Sequence, residues 1–116
     1  MRTGLLRVKT AWPILTKVAV QRGEQDVTVV VEGNRPMAYK IIPIDAFRLS
    51  LDLENVRTSL KFSELPVDHF LLSRIRIGRH RDKLRLVFDL NMALNRELKY
   101  AMKARGNQIA VRLERV

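Results

Sequence analysis

The chain has no cysteine, only two histidines and few aromatic residues, and each shortage excludes a class of site. Without cysteine there is no disulfide and no thiolate ligand for a metal. A hydrolytic zinc site takes about three protein ligands, whereas His69 and His80 are the only histidines and lack the HExxH spacing. We therefore expect neither a metal nor a cofactor.

A nucleophilic active site is also poorly supported. Asp68, His69 and Ser73 can be written as a catalytic triad, but all three lie in one short stretch without a strand–turn–helix elbow around the serine. We interpret His69 as a half-exposed loop residue and His80 as a turn residue. The Gly-rich motifs of dinucleotide-binding folds and P-loops are absent as well. The sequence thus favours a protein that is not an enzyme.

The length and composition predict one folded domain. The chain has 116 residues, 47% of them hydrophobic, with only five Gly and four Pro. No apolar run is long enough to span a bilayer.

The charge balance indicates an anionic partner, because 22 Lys and Arg stand against 12 Asp and Glu, for a net charge of +10. Most of these cations are arginines, whose planar fork suits carboxylate and phosphate groups.

An internal period indicates a tandem duplication. Residues 15–32 align without a gap with residues 72–89, and most pairs keep their character, as in Val18 with Ile75 and Val29 with Leu86. We expect an N-terminal extension at 1–13 and one domain at 14–116. Within that domain, copy one spans 14–57, a linker spans 58–71 and copy two spans 72–116. The linker is expected to form a loop or a helical turn.

Each copy shows the period-two alternation of half-buried strands arranged as two hairpins. We therefore predict an all-β fold, a sandwich of two similar four-stranded sheets, with a closed barrel as the alternative. In copy one, a turn is expected near residues 43–46. The side chains expected to point inward are Val18, Val20, Val27, Val29, Val31, Phe47, Leu49, Leu51, Leu53, Ile75, Ile77, Leu84, Leu86, Phe88, Ile109, Val111 and Leu113.

One stretch gives conflicting signals. Residues 93–103 consist of strong helix formers, but the duplication aligns them with a strand of copy one. We favour a strand from Glu97 onward, preceded by one helical turn, and helix remains the alternative.

The candidate site follows from the expected hairpin register. If Val20 faces Val27 and Ile77 faces Leu84, Arg76 lies directly opposite Arg85 and Arg74 lies diagonal to Asp89. Like charges facing each other are destabilising, so we propose an anion-binding face here, with a solvated basic edge and surface ion pairs as the alternative. The candidate ligand-binding residues are Arg74, Arg76, Arg85, Arg79, Arg81 and Asp89.

Four strand-like motifs resemble those of the AMIN domain family. They are RIRIG at 74–78, LRLVFDL at 84–90, VTVVVEG at 27–33 and LSLDL at 49–53. That family occurs as a non-catalytic module in periplasmic N-acetylmuramoyl-L-alanine amidases of cell division and in type IV pilus secretins. The resemblance implies a β-sandwich in the periplasm, part of a larger polypeptide. It also implies a targeting or binding role towards peptidoglycan or septal and pilus assemblies.

Nucleic-acid binding is the alternative function, because the pI is about 10.9 and the arginines are clustered. Few aromatic rings are available to stack on bases, and Trp12 is the one candidate ligand platform. A purely structural spacer within a secretin is a third possibility.

Overall fold

A computed structural model describes residues 12–116, which form ten strands and no helix. Residues 1–11, most of the expected N-terminal extension, lie outside the described part. The strands are β1 (Ile14–Arg22), β2 (Asp26–Gly33), β3 (Tyr39–Asp45), β4 (Arg48–Glu54), β5 (Arg57–Thr58), β6 (Glu64–Pro66), β7 (Leu72–Arg79), β8 (Lys83–Leu90), β9 (Leu98–Arg105) and β10 (Gln108–Arg115).

The strands form two sheets of five, and the prediction of four strands per sheet was wrong. The first sheet has the order β5-β1-β2-β10-β9 and the second has the order β3-β4-β8-β7-β6. Each sheet therefore combines one hairpin from the first half of the chain with one from the second half. The apolar faces of both sheets contribute to a single core, as expected for a sandwich.

The fifth strand of each sheet is short and comes from the region between the copies. β5 begins at Arg57, the last residue of copy one, and ends at the first residue of the linker. β6 lies within the linker, and linker residues 59–63 and 67–71 have neither strand nor helix, as expected of a loop. β5 pairs in parallel with β1 at Ile14 and Leu15, and β6 pairs antiparallel with β7. The linker passes along one open edge of each sheet, where unpaired backbone groups accept a short partner strand.

The first hairpin of each half of the chain recurs at the same spacing. β2 and β8 have the same length and lie 57 positions apart, and both first hairpins carry a bulge at matching places, Leu15 to Lys17 and Leu72 to Arg74. A duplication remains our interpretation of this regularity.

The prediction that the apolar side chains of the strands point inward is largely confirmed. Val29, Leu86 and Ile75 are buried in the core. Val18, in contrast, is only half-buried, because β5 covers β1 only as far as Leu15 and leaves the rest of that edge open.

The β3–β4 hairpin differs from its prediction. β3 continues through Pro43 to Asp45, which is possible because β3 is an edge strand and a proline there interrupts no ladder. The turn is therefore shorter than expected, and it contains Phe47, which is 52% exposed rather than inward.

The ambiguous stretch at 93–103 forms a turn followed by a strand. The carbonyl of Ala93 accepts hydrogen bonds from the amides of Glu97 and Leu98, and Asn95 has a left-handed φ of 69°. β9 begins at Leu98, so the prediction of a strand is confirmed to within one residue.

The register of the first hairpins is shifted by two residues from the predicted one. Val20 faces Val29, and Ile77 faces Leu86. β1 and β7 extend to Arg22 and Arg79, which makes both turns shorter than the prediction assumed. A shift of two leaves every side chain on its predicted face, but it changes the partner of each one.

Candidate anion-binding site

The shifted register separates the two arginines that were expected to face each other. Arg76 lies opposite Val87, and Arg85 lies between Gly78 on β7 and Asp52 on β4. Arg74 lies directly opposite Asp89 rather than diagonal to it. The predicted repulsion between Arg76 and Arg85 is therefore wrong, and each arginine has an acidic neighbour instead.

Asp89 is the centre of the first ionic cluster on the outer face of the second sheet. Arg76 binds both of its carboxylate oxygens, with Nε–Oδ2 and Nη2–Oδ1 distances of 2.8 Å each. Arg74 Nε adds a bond of 2.6 Å to Oδ2, and Arg74 Nη1 also lies 3.5 Å from Glu64 Oε1. Burial of Asp89 raises its pKa, but the hydrogen bonds from Arg76 and Arg74 outweigh this effect, so the pKa lies below its usual value.

Asp52 is the centre of the second cluster, and only 3% of its side chain is exposed. Arg85 donates two hydrogen bonds to it, Nε–Oδ1 at 2.8 Å and Nη2–Oδ2 at 2.9 Å. Ser50 Oγ donates a third at 2.7 Å, and Lys83 Nζ lies 3.8 Å away. The hydrogen bond from Arg85 is the main cause of the lowered pKa of Asp52.

The residues of the predicted site are divided between these two clusters and a third location. Of its six residues, the structure brings together Arg74, Arg76 and Asp89, and it places Arg85 beside Asp52. The guanidinium forks already bind carboxylates of the protein itself. An incoming carboxylate would have to displace Asp52 or Asp89, which costs hydrogen bonds to charged groups.

The other two predicted residues, Arg79 and Arg81, lie in a separate cavity of about 300 Å³ at the end of the second sheet. We call this cavity the end pocket. Among the described residues, three arginines and a histidine line it and no acidic side chain does. Its lining residues are Val56, Arg57, Thr58, Arg79, His80, Arg81 and Leu84.

Two backbone turns create the end pocket. After β4, Asn55 adopts a left-handed φ of 53°, and its amide donates a 2.8 Å hydrogen bond to the carbonyl of Asp82. This bond holds the start of β5 against the β7–β8 turn. Within that turn, the amide of His80 donates to the carbonyl of Lys83 at 3.0 Å. Arg57 and Arg81, which are 24 residues apart, therefore line the same cavity.

The arginines of the end pocket are not neutralised by carboxylates. Arg79 donates to Ser63 Oγ at 3.1 Å and to the carbonyls of Leu60 and Phe62 at 3.0 and 3.1 Å, all of them uncharged acceptors. Arg57 Cζ lies 5.7 Å from the ring centroid of Trp12, a cation–π distance. Within residues 12–116, no ion pair joins Arg57, Arg79 or Arg81 to an acidic group.

No pattern in the sequence assigns Arg57 to a ligand site. His80 lies in a turn as predicted, but its neighbour Arg57 comes from the other half of the chain. Their proximity depends on β4 pairing with β8, which no local pattern indicates.

The structure gives His69 a structural position rather than the half-exposed one expected. Its ring is buried, Nε2 lies 2.9 Å from the carbonyl oxygen of Gly23, and Nδ1 accepts a hydrogen bond from the amide of Leu71. Both ring nitrogens are thus occupied by backbone groups, and neither can act as a base for Ser73. Across residues 12–116, no group of His, Asp and Glu is arranged to hold a metal ion.

Comparison with protein families settles the relationship of the chain. The model of the AMIN domain matches residues 17–113, which include parts of both sheets. The chain belongs to the AMIN domain family. This family is non-catalytic, and its domains occur in proteins of the cell envelope. No match was found among curated proteins.

The part of this AMIN domain that the structure describes contains no helix long and apolar enough to cross a membrane.

Proposed function

We propose that this AMIN domain is a non-enzymatic targeting module that binds peptidoglycan in the periplasm through its end pocket. The observation that carries the proposal is the contrast between two groups of arginines. Those on the outer face of the second sheet are paired with Asp52 and Asp89, whereas Arg57, Arg79 and Arg81 surround a cavity without any acidic side chain.

The chemistry of the pocket matches that of the polymer. The peptide stems of peptidoglycan carry carboxylates, and an arginine fork binds a carboxylate through two parallel hydrogen bonds. Within the described residues 12–116, no carboxylate pairs with Arg57 or Arg81, while Arg79 contributes charge and holds the wall of the pocket in place. A cavity of about 300 Å³ lies at the lower end of the range for small-molecule sites and can admit a stem terminus.

The family suggests the cellular role. We expect the domain to be part of a larger polypeptide, an amidase, a secretin or another envelope protein, and to bring it to its place of action. An acidic surface of a septal or pilus assembly protein would be recognised by the same charges, and it is the second candidate ligand. The basic net charge of +10 favours either one.

The test is co-sedimentation with purified peptidoglycan sacculi at several salt concentrations. The double variant Arg57→Ala/Arg81→Ala removes two pocket charges without touching the bonds of Arg79. We expect its retention to fall and its salt dependence to flatten. The matched control, Arg96→Ala/Arg115→Ala, loses two exposed arginines outside the pocket and should be retained like the parent protein.

Two results would overturn the proposal. One is equal retention of the pocket variant and the control variant on sacculi. The other is binding to DNA in a gel shift by a protein that does not sediment with sacculi, which would favour the nucleic-acid alternative.

A further inference from the structure

β9 forms an open edge of the first sheet. Within residues 12–116 its only strand partner is β10, and apart from a bridge between Leu98 and Leu94 the backbone groups on its other side have no partner strand. It is eight residues long and contains neither proline nor glycine. Backbone hydrogen bonds along such an edge can bind an added strand.

Of the other edges, β1 is open beyond Leu15, but there Lys17 alternates with the uncharged Ala19 and Gln21 on the outer side. The three remaining edge strands are less suited to this role. β5 and β6 are two and three residues long, and β3 contains Pro43, which has no amide to donate to an added strand. Short strands and prolines are devices that prevent pairing at an edge. β9 is longer than β3, β5 and β6 and contains no proline.

The side chains of β9 alternate between two environments. Tyr100 and Met102 point towards the core and are only half-buried, so an added strand could cover them. Lys99, Lys103 and Arg105 are exposed on the opposite face. Lys99 lies 3.6 Å from Glu114, whereas no ion pair within residues 12–116 involves Lys103 or Arg105.

From this alternation we propose that β9 binds an extended segment of a partner protein in which acidic and apolar residues alternate. The segment adds as a sixth strand of the first sheet. Its apolar side chains cover Tyr100 and Met102, and its carboxylates meet Lys103 and Arg105. This surface is separate from the end pocket, and the inference does not depend on the proposed function.

The charges of β9 argue against two other occupants of this edge, a second copy of the chain and the chain's own residues 1–11. A second copy pairing through β9 would place lysines and arginines of both chains on one face, where like charges repel. The chain's own residues 1–11 contain Arg2, Arg7 and Lys9 and no acidic residue. The lysines therefore discourage self-association and favour an acidic segment at the same time.

The experiment uses a synthetic peptide of about eight residues, the length of β9, in which Glu and Val alternate. Binding is measured by titration, and the location is measured by amide hydrogen exchange. We expect slower exchange along β9 and unchanged exchange along β3. A peptide with Lys in place of Glu should not bind.

Charge variants provide the matched comparison. Lys103→Glu should weaken binding of the acidic peptide by about tenfold at low salt, while Lys61→Glu, an equal change of an exposed lysine in the linker, should leave it unchanged. The pocket variant Arg57→Ala/Arg81→Ala should bind the peptide normally, which separates this inference from the proposed function.

Three outcomes would overturn the inference. They are peptide binding without protection of β9, equal weakening by Lys103→Glu and Lys61→Glu, and protection of β9 by self-association in the absence of peptide.

Discussion

Asp52 and Arg85 face each other across β4 and β8 and share two hydrogen bonds of 2.8 and 2.9 Å. The two residues come from different halves of the chain, so this pair helps to join the halves within the second sheet. Its geometry leaves no fork of Arg85 available to a ligand.

Loss of Arg85 should therefore destabilise the domain. Arg85→Ala leaves the buried carboxylate of Asp52 with only Ser50 and Lys83, and we expect the free energy of unfolding to fall by about 1 to 3 kcal/mol. The measurement is urea denaturation at neutral pH. Arg112→Ala breaks exposed ion pairs with Asp26 and Glu114 and should cost less than about 1 kcal/mol. Equal losses would contradict the importance assigned to the buried pair.

The same carboxylates should govern stability in acid. The pKa values of Asp52 and Asp89 are lowered in the folded protein, so the folded state binds fewer protons than the unfolded state near these values. The stability they provide is complete above the unfolded value of about 4 and is lost as the pH falls through the folded values. Denaturation between neutral pH and strongly acidic pH should show a shallower decline for Asp52→Asn, which starts from a lower stability. A decline as steep as that of the parent protein would contradict this account.

His69 should contribute to stability through its two backbone contacts. His69→Ala frees the amide of Leu71 and the carbonyl of Gly23 and leaves a void beside Phe70, whose ring stacks on the imidazole at 4.7 Å. We expect a loss of about 1 to 3 kcal/mol in thermal or urea unfolding. His80→Ala, in an exposed turn, is the comparison and should change stability by less than about 0.5 kcal/mol. Similar effects of both variants would refute the structural role of His69.

Arg79 should hold the linker against the second sheet. Arg79→Ala removes the hydrogen bonds to Leu60, Phe62 and Ser63, so amide exchange at residues 60–63 should become faster. Arg79→Lys keeps the charge but cannot bind three acceptors with one planar group, and it should restore the protection only in part. Complete protection in Arg79→Ala would show that other contacts hold the linker.

The core positions should differ between the two halves. Leu86→Ala removes a fully buried side chain and should cost about 2 to 5 kcal/mol. Val18→Ala, at a half-buried site near the open edge of β1, should cost clearly less. Chemical denaturation of both variants checks the order, and a larger loss for Val18→Ala would contradict the burial assigned to them.

The alternation of side chains predicts the eight long strands and most of their buried positions, because period two is a local property of a strand. Pairing partners are not local. Ile77 pairs with Leu86, two residues from its predicted partner, because β7 continues to Arg79 before the β7–β8 turn begins. The residue type of Arg79 does not indicate whether it belongs to the strand or to the turn. Ser50 and Asp52 are buried although they lie on the polar side of β4, because Arg85 of the neighbouring strand binds Asp52, which also accepts a hydrogen bond from Ser50.

Each sheet combines hairpins from both halves of the chain, and this arrangement has a consequence for folding. The β1–β2 hairpin is completed by β9 and β10, and β3 and β4 are completed by β7 and β8. Gln108 bonds to Glu32 across 76 residues of sequence. Neither half of the chain contains a whole sheet, so a chain cut within the linker should fold only when both fragments are present together. Strands that are this far apart in the sequence pair late in folding, so we expect this topology to fold slowly.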